Sequence, residues 1–460
     1  MLYRNFTVHL KNWYQHQNRK PLIIRGARQV GKSTAVRFFA QDQSIPIREI
    51  NLEKHAHLDP VFARFNITEV LKEIELTLGI KIERDGRNIM FLDEIQAAPH
   101  AIAVLRYFHE EMPHLPVISA GSLLEFAMAE KKFSVPVGRV EYAFMGPMTF
   151  CEFLYALDEK LLIEEMERYL PHKPFSTTAH DRLLTRFRDF LLVGGMPEAV
   201  AEFSSNGSLT RIPAIHQSII NTYRDDFGKY ASGANRSRLE RVFEYAAASV
   251  GDKIKYVNIN PHWKAAEIRG AIDLLDRSGI IYSVHHTDGT GVPLGATADD
   301  AVFRLQFLDA GLMNAVNGTP PFGLEEFREN RFVNEGRMAE QAVGQHLLYA
   351  HPVFQRPALY YWLREGKRGN AQVDFLIQSG NRIVPIEVKA GASGSLKSLH
   401  QFAAARSSPI AVRFDLNPPS IQEIAHSAVT PSGEVKKIQF QLLSLPAYMA
   451  EQTLRILAVL

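Results

Sequence analysis

Residues 26 to 34, GARQVGKST, carry the pattern G-x-x-x-x-G-K-[ST] at Gly26, Gly31, Lys32 and Ser33. Glycines at this spacing let backbone N–H groups close around a phosphate, the lysine supplies a positive charge, and the hydroxyl can bind Mg²⁺. The run also contains Thr34, and we expect these five residues to bind ATP, with Ser33 also on the metal. A chance match in a glycine-containing turn is the alternative.

Two acidic residues follow an apolar run further along the chain. Asp93 and Glu94 end NIMFLDEIQ, in which Ile89 to Leu92 predict a buried strand. At the end of such a strand Asp93 would hold Mg²⁺, and Glu94 would orient or deprotonate the water that attacks the γ-phosphate. If Glu94 is instead a solvated acid, ATP binds here without being hydrolysed by this residue.

Two weaker candidates for the same site come next. The apolar run PVISAGS predicts a neighbouring strand that would place Ser119 or Ser122 beside the γ-phosphate. Arg139, in VGRVEYAFMGPM, is a candidate for an arginine that meets the γ-phosphate charge, supplied by a neighbouring subunit if the protein is a homo-oligomer. An arginine in such a place is more often a surface or ion-pair residue.

A second set of chemical groups lies in VDFLIQSGNRIVPIEVKAG, residues 373 to 391. Two runs rich in strand-forming residues flank a Gly-Asn pair, which predicts a hairpin with a two-residue loop. The register in which Phe375 faces Ile386 and Ile377 faces Val384 makes one side of the hairpin wholly apolar. Burial therefore favours this register over one shifted by a single residue.

The same register places Asp374 across from Glu387, with Lys389 on the same face because side chains alternate along a strand. In RMAEQAVGQHLL, Glu340 shares a helical face with apolar residues and should face inward. An inward carboxylate needs a partner. These groups are either an ordinary surface ion pair or a metal site that cuts nucleic acid, and the spacing alone leaves both open.

Composition sets the limits for the whole chain. It has 460 residues, 46% of them hydrophobic, a formal charge of +2 and a single cysteine, which excludes an intrachain disulfide framework. At roughly 150 residues per domain, this length suggests about three domains. The start MLYRNFTVHLKNWYQHQ lacks the apolar core of a signal peptide, and no stretch approaches the ~20 apolar residues that span a bilayer. We expect a cytoplasmic protein with no membrane partner.

The small net charge means that any nucleic-acid surface must be a local patch. Candidates are Arg236, Arg238 and Arg241, and the run REGKRGN, although a solvated face is the alternative for each. Between about residues 236 and 291, helix-period apolar positions precede a β-like run and a glycine-rich turn, an order that suggests a winged helix. Its second helix carries cations and acids alike, so a module that packs against protein is as plausible as one that binds DNA.

Several motifs, taken in order, carry a family resemblance: GARQVGKST, FLDEIQ, SAGSLLEFA, VGRVEYAFMGPMTFCEFL and LLVGGMPEAV. The chain resembles the large family of prokaryotic AAA-type P-loop ATPases with an appended carboxy-terminal domain of unknown function. The resemblance implies an α/β fold class. Its first domain would be a P-loop NTPase domain with a helical lid (residues 1–203), in which helices flank a parallel sheet. A helical and winged-helix region (204–299) and an α/β domain similar to the PD-(D/E)xK nucleases (300–460) would follow.

In the PD-(D/E)xK fold an aspartate and a glutamate hold one or two Mg²⁺ ions, and a lysine positions a metal-bound water for attack on a phosphodiester. By resemblance, Asp374, Glu387 and Lys389 fall on this triad, Glu340 on a metal-binding acid of the first helix, and Gln401 on a polar position of a later helix. The implied function is an ATPase, using ATP and Mg²⁺, that controls a nuclease-like domain acting on DNA. The alternatives are an ATP-operated switch or scaffold that binds DNA or protein without cleavage, and an ATPase with no nucleic-acid role.

Overall fold

Two sheets organise the chain in the computed structural model of the protein, which describes residues 2–121, 124, 138–230, 233–318, 335–365, 370–389, 396–429 and 435–460. Within this part, the first sheet has five strands in the order β2-β3-β4-β1-β5, and all of them are parallel. The strands are β1 (Leu22–Arg25), β2 (Ile47–Asn51), β3 (Ile89–Asp93), β4 (Val117–Ala120) and β5 (Glu141–Phe144).

Apolar residues run without interruption through the central strands of this sheet because helices cover both of its faces. All five residues of β3 are buried, as are all four of β4. The helices of this unit are Phe6–Gln15, Lys32–Asp42, Asp59–Phe62, Ile67–Leu78 and Pro99–Glu111, with short 3₁₀ turns at Ala56–Leu58 and Ile95–Ala97. The predicted parallel sheet flanked by helices is confirmed.

A helical region follows the first sheet. Its helices are Phe150–Ala156, Lys160–Arg168, Thr177–Val193, Pro197–Asn206, Ile212–Tyr230, Ala234–Ala248, Tyr256–Ile259 and Ala265–Arg277. The start of this region also receives the end of the chain, because the ring of Tyr448 packs against Phe150 and its hydroxyl lies 2.9 Å from Nδ1 of His180. One continuous apolar core therefore joins the first sheet, the helices and the carboxy-terminal segment.

The second sheet has eight described strands in the order β12-β13-β11-β10-β9-β8-β6-β7. They are β6 (Ile281–Thr287), β7 (Ala298–Phe307), β8 (Leu359–Arg364), β9 (Ala371–Ser379), β10 (Arg382–Val388), β11 (Ile410–Asp415), β12 (Ser420–Val429) and β13 (Val435–Pro446). The remaining helices are Ala310–Val316, Glu335–Leu348, Lys397–Arg406 and Thr453–Leu457, with 3₁₀ turns at Leu294–Thr297 and Ala447–Gln452.

The hairpin β6–β7, which the sequence suggests as a wing, is part of this second sheet. Strand β6 pairs in parallel with β8, so the hairpin shares a hydrogen-bonded ladder with the carboxy-terminal strands. The predicted division between residues 299 and 300 falls inside β7, because this strand runs from Ala298 to Phe307. The hairpin is thus used for packing within the chain.

Strands β9 and β10 pair in the register that burial favours. Phe375 lies opposite Ile386 and Ile377 opposite Val384, as predicted, and all four side chains are buried. The two-residue loop at 380–381 begins with Gly380 at a φ of +63°, a left-handed conformation that glycine adopts without strain. The polar face of this hairpin is therefore fixed by the packing of its apolar face.

Candidate functional sites

The predicted phosphate loop joins β1 to the helix Lys32–Asp42, and its glycines are required by the backbone. Gly26 has a φ of +141° and Gly31, at the amino end of the helix, a φ of +94°. A Cβ atom on Gly26 would lie 2.0 Å from the carbonyl oxygen of Met145. Only glycine allows this approach, so the loop can present its N–H groups at a helix amino terminus, where anions bind.

Lys32 is buried in this loop, with 7% of its surface exposed. Its ammonium donates hydrogen bonds to the carbonyl oxygens of Gly26 (2.9 Å) and Ala27 (2.8 Å). Burial lowers the pKa of Lys32 to about 8, although the charges of Glu94 and Asp93 act in the opposite direction. A bound phosphate would supply the negative charge that favours the ammonium form.

The affinity for ATP is expected to depend on pH through Lys32. Below pH 8 the side chain carries the charge that binds phosphate; above it, binding must first take up a proton, so affinity declines as pH rises. We expect equilibrium titration with a fluorescent ATP analogue to show affinity about tenfold weaker near pH 9 than near pH 7. If the Lys32→Arg variant still binds ATP, its affinity should not decline between pH 7 and pH 9. A wild-type affinity that stays constant over this pH range would contradict the role given to Lys32.

The predicted magnesium ligands of the ATP site lie side by side. Ser33 Oγ donates a hydrogen bond of 2.6 Å to Oδ1 of Asp93. Burial raises the pKa of Asp93, and the hydrogen bond from Ser33 partly offsets this effect. A hydroxyl and a carboxylate oxygen, completed by waters and phosphate oxygens, are the donors that Mg²⁺ prefers, so these residues fit the metal.

Glu94 follows Asp93 directly, at the end of β3, and has a positive φ of +50°. Its Oε2 atom accepts a hydrogen bond of 2.6 Å from Nε2 of Gln96. Left-handed backbone in a residue other than glycine costs energy and persists where the surrounding structure imposes it, often at functional sites. Glu94 lies close enough to Asp93 and Lys32 for its charge to raise the pKa of both groups.

Of the weaker candidates for this site, Ser119 and Arg139 are engaged elsewhere in the described structure. Ser119 is fully buried and its hydroxyl donates to the carbonyl oxygen of Leu22 (3.3 Å), so it bonds β4 to β1. Ser122 lies outside the described residues. Arg139 forms an ion pair of 2.9 Å with Glu110, with 47% of its side chain exposed. A role for Arg139 toward a neighbouring subunit stays a prediction.

Residues distant in sequence hold the phosphate loop from outside, and the sequence reasoning missed them. Arg28, inside the loop, forms an ion pair of 2.6 Å with Asp226, whose side chain is 3% exposed. Tyr223 donates to the carbonyl oxygen of Arg28 (2.8 Å), and Arg4 to that of Val30 (2.5 Å). No local pattern predicts such contacts, because Arg28 occupies a variable position of the motif and its partners lie about 195 residues away.

Arg28→Ala is expected to weaken ATP binding and to lower stability, because it removes the close ion-pair partner of the buried Asp226 carboxylate. The expected loss is about 1–3 kcal/mol in the free energy of unfolding. Arg236→Ala is a matched control, since Arg236 forms an exposed ion pair with Glu240 and should cost no more than about 1 kcal/mol. Urea unfolding and ATP titration would measure both; equal effects of the two substitutions contradict the role of Arg28.

The second candidate site lies on the polar face of the hairpin β9–β10. Asp374 Oδ2 accepts a hydrogen bond of 2.8 Å from the backbone N–H of Val388. The Lys389 ammonium pairs with Oε1 of Glu387, whose side chain is 6% exposed. The hairpin thus brings Asp374, Glu387 and Lys389 together on one face.

Glu340 reaches this cluster from the helix Glu335–Leu348, and its carboxylate forms an ion pair of 2.9 Å with Nη1 of Arg304. Arg304, on β7, is 2% exposed, and its Nη2 donates to the carbonyl oxygen of Asp374. Its guanidinium also lies over the ring of Tyr361, 4.6 Å from the centroid. The sequence reasoning missed Arg304, which is the partner that the inward Glu340 requires.

The charge of Asp374 raises the pKa of both Glu340 and Glu387, and the charge of Glu340 raises that of Glu387, so the three carboxylates lie within electrostatic reach. Burial, and then the charge of Asp374, raises the pKa of Glu387 to about 8, against the effect of Lys389. Burial raises the pKa of Glu340 to about 7, partly offset by Arg304. Burial also raises the pKa of Asp374, again against Arg304. Perturbed carboxylates that share a buried cluster are typical of functional sites.

Whether these residues fit a metal depends on their free oxygens. Oε2 of Glu387 is buried without a hydrogen-bond partner among the described residues, as is Oε1 of Gln401. The described part of the chain contains no group of three or more His, Cys, Asp or Glu side chains arranged for a metal. Since Mg²⁺ is often bound by one or two carboxylates with waters and substrate phosphates, Asp374 and Glu387 fit it. A metal-binding role for Glu340 stays a prediction.

The first of the two basic patches predicted for nucleic acid is engaged within the chain. Arg236 pairs with Glu240 (2.8 Å), Arg238 with Glu267 (2.6 Å), and Arg241 donates to the carbonyl oxygen of Ile259 (2.9 Å). In the run REGKRGN, Lys367 and Arg368 lie outside the described residues. These ion pairs lower the net positive charge of the helical surface that the sequence offered for DNA.

The region between the two sites contacts both of them. Near the phosphate loop, a Cβ atom on Gly279 would lie 3.4 Å from the backbone nitrogen of Ala27. At the carboxylate cluster, the carbonyl oxygen of Gly251 accepts a hydrogen bond of 3.1 Å from Arg304, and a Cβ there would lie 2.5 Å from Oε2 of Glu340. Residues 212–307 therefore form a physical link between the two sites.

Comparisons with known proteins agree with the first of these sites. Residues 18–154 match the family model described as an AAA domain, residues 184–322 the domain of unknown function DUF8612, and residues 335–430 the domain of unknown function DUF4143. A search of curated proteins finds no match. Among the described residues, no helix is long and apolar enough to cross a membrane.

Several solved structures are similar in part. The Aeropyrum pernix ORC2 protein in ADPNP–ADP complexes is 11% identical, covering 70% of this chain and 92% of its own, with a TM-score of 0.31. The Thermotoga maritima RuvB Holliday junction branch migration motor is 13% identical, covering 61% and 89%, with a TM-score of 0.27. The Aeropyrum pernix ORC1 protein in complex with DNA is 14% identical, covering 70% and 93%, with a TM-score of 0.24.

The family match and the phosphate site lead to one conclusion. The AAA match spans the loop with its two required glycines, the buried Lys32, and the Ser33–Asp93 pair at the end of β3. These groups converge at the same edge of the first sheet. The amino-terminal part of this chain is a P-loop AAA-type ATPase domain.

Proposed function

We propose that the chain is an ATPase in which ATP binding and hydrolysis control a Mg²⁺-dependent, nuclease-like site that acts on DNA. The observation that carries this proposal is the link formed by residues 212–307. Asp226 and Tyr223 hold the phosphate loop at one end of this link, and Arg304 holds the carboxylate cluster at the other. A change in the loop can therefore be transmitted to the cluster through packed elements.

In the ATPase reaction, each residue has a role that follows from its position. The backbone of Gly26 to Gly31 cradles the phosphates, Lys32 neutralises their charge, and Ser33 with Asp93 would hold Mg²⁺, which spreads the negative charge of the transferred phosphoryl group. Glu94 orients the attacking water and accepts its proton. To reach the phosphates, Lys32 would have to leave the carbonyl oxygens of Gly26 and Ala27, so nucleotide binding would change the loop itself.

In the carboxy-terminal site, Asp374 and Glu387 would hold Mg²⁺, which activates a water for attack on a phosphodiester. Support for this role comes from the free, buried Oε2 atom of Glu387 and from Lys389, which lies within hydrogen-bonding distance of the same side chain. Lys389 would position the water and balance the charge that develops on the phosphate. We assign the nuclease-like role to residues from Arg304 onward, with β7 as part of the domain.

The second candidate function is an ATP-operated switch or scaffold whose carboxy-terminal domain binds DNA or protein without cleaving it. The ion pair between Glu340 and Arg304 favours this candidate, because it leaves two rather than three carboxylates for a metal. A nuclease-like fold can keep its shape after its chemistry is lost.

A cleavage assay distinguishes the two candidates. With Mg²⁺ or Mn²⁺, ATP and a panel of single-stranded, duplex and branched DNA, the wild type should cleave at least one substrate. Lys389→Ala should reduce that rate by about 10²-fold or more while ATP binding is kept. Lys437→Ala, which removes an exposed lysine from β13 of the same sheet, is the matched control and should cleave normally.

The outcomes separate clearly. Full cleavage by Lys389→Ala would show that the assigned site is wrong. Absence of cleavage by the wild type on the whole panel, with nucleotide-dependent DNA or protein binding that is abolished by Lys32→Ala, would instead support the switch.

A further inference from the structure

The buried guanidinium of Arg304 occupies a place in the carboxylate cluster where a cation would otherwise be needed. We propose that Arg304 takes the part of a second metal ion, so that the carboxy-terminal site binds a single divalent cation through Asp374 and Glu387, with Glu340 outside the metal shell. This inference rests on the proposed metal-dependent function and specifies its cofactor stoichiometry. Arg304 is thus a positioning residue, acting through the groups that it holds.

Arg304 is fixed on several sides. Its Nη1 atom pairs with Glu340 (2.9 Å) and donates to Gly251, and its Nη2 atom donates to the backbone carbonyl of Asp374. The rings of Tyr361 and Phe375 lie 4.6 and 5.6 Å from the guanidinium carbon. An arginine with planar, bidentate donors and aromatic faces on its guanidinium has little freedom to turn away.

Glu340 is equally constrained. Its Oε1 atom bonds to Arg304, and its Oε2 atom lies over Gly251, where a Cβ would be only 2.5 Å away. If Glu340 turned toward a metal, Arg304 would lose its counter-ion, which is unfavourable for a guanidinium that is almost completely buried. Among the described residues, Oε2 of Glu387 is a buried carboxylate oxygen of the cluster that has no hydrogen-bond partner.

Charge balance leads to the same stoichiometry. Because a bound cation displaces protons from its carboxylates, the count is made for the metal-bound cluster, where three ionised carboxylates against Arg304 and Lys389 give a formal charge of −1 before the metal is added. One divalent cation and one phosphodiester group then give a neutral assembly. Two divalent cations would leave an excess of two positive charges, which a buried cluster does not readily accommodate.

The test counts Mn²⁺ ions bound to the full chain without nucleotide, by equilibrium dialysis or electron paramagnetic resonance. All variants carry Asp93→Asn, which weakens the metal site of the ATPase domain. We expect one Mn²⁺ per chain in this background and none when Asp374→Asn is added. Adding Glu340→Gln should leave one ion, with its dissociation constant changed less than about threefold.

Two further variants guard against loss of folding. Arg304→Met/Glu340→Leu removes the whole ion pair and should still bind one Mn²⁺, whereas Arg304→Met alone frees Glu340 and should bind a second. Three results would each overturn the single-metal proposal and leave the metal-dependent function standing. They are two ions in the Asp93→Asn background, one ion in Arg304→Met, and a threefold or greater loss of Mn²⁺ affinity in Glu340→Gln. No ion at all would overturn both.

Discussion

Glu94→Gln is expected to slow ATP hydrolysis by about 10²–10⁴-fold. The amide keeps the size of the side chain but cannot take a proton from the attacking water. Lys32, Ser33 and the loop glycines are untouched, so the affinity for ATP should stay within about threefold of the wild type. Phosphate release and equilibrium titration with a fluorescent ATP analogue measure the two quantities.

Glu111→Gln is the matched control for this substitution. Glu111 is an exposed acid at the end of the helix Pro99–Glu111, so the same loss of charge should leave both hydrolysis and binding unchanged. If Glu94→Gln hydrolyses ATP at the wild-type rate, Glu94 is a solvated acid and another group orients the water. A parallel loss of ATP affinity would instead point to a structural role at the end of β3.

Arg304→Met should produce the largest loss of stability, about 3–5 kcal/mol in the free energy of unfolding, because it leaves the Glu340 carboxylate buried without its partner. Arg304→Met/Glu340→Leu should recover most of this loss, since apolar side chains of similar volume can replace a buried ion pair at little cost. The free energy of unfolding in urea, followed by fluorescence, measures the effect.

The double variant tests whether Arg304 and Glu340 are energetically coupled. If it were as unstable as the sum of its single substitutions, the two residues would not be coupled, contrary to their 2.9 Å ion pair. Arg236→Met, at an exposed ion pair, should change stability by no more than about 1 kcal/mol.

Local patterns predict those parts of the protein that local physics determines. The phosphate loop, the acidic end of β3 and the hairpin register could be obtained from the sequence because each depends on spacing and alternation within some 20 residues. The register of β9 and β10 follows from the burial of Phe375 and Ile386, and it carries Asp374 and Glu387 with it.

Long-range partners could not be obtained in this way. Arg304 lies on β7, the strand in which the predicted domain boundary falls. Its side chain is buried against groups from β9 and the helix Glu335–Leu348. Asp226 meets Arg28 across 198 positions of the chain. Ser119, one of the two serines of the run PVISAGS that were candidates for a phosphate contact, has its hydroxyl bonded to the neighbouring strand. Only the packing of distant elements determines these contacts.

The central claim is that the nucleotide state of the ATPase domain controls the carboxy-terminal site. The most direct measurement is the rate of Mn²⁺-dependent DNA cleavage with ATP, with a non-hydrolysable analogue and without nucleotide, in the wild type and in Lys32→Ala. We predict that nucleotide changes the wild-type rate by about tenfold or more and leaves the rate of Lys32→Ala unchanged. Equal wild-type rates under all three conditions would contradict the account.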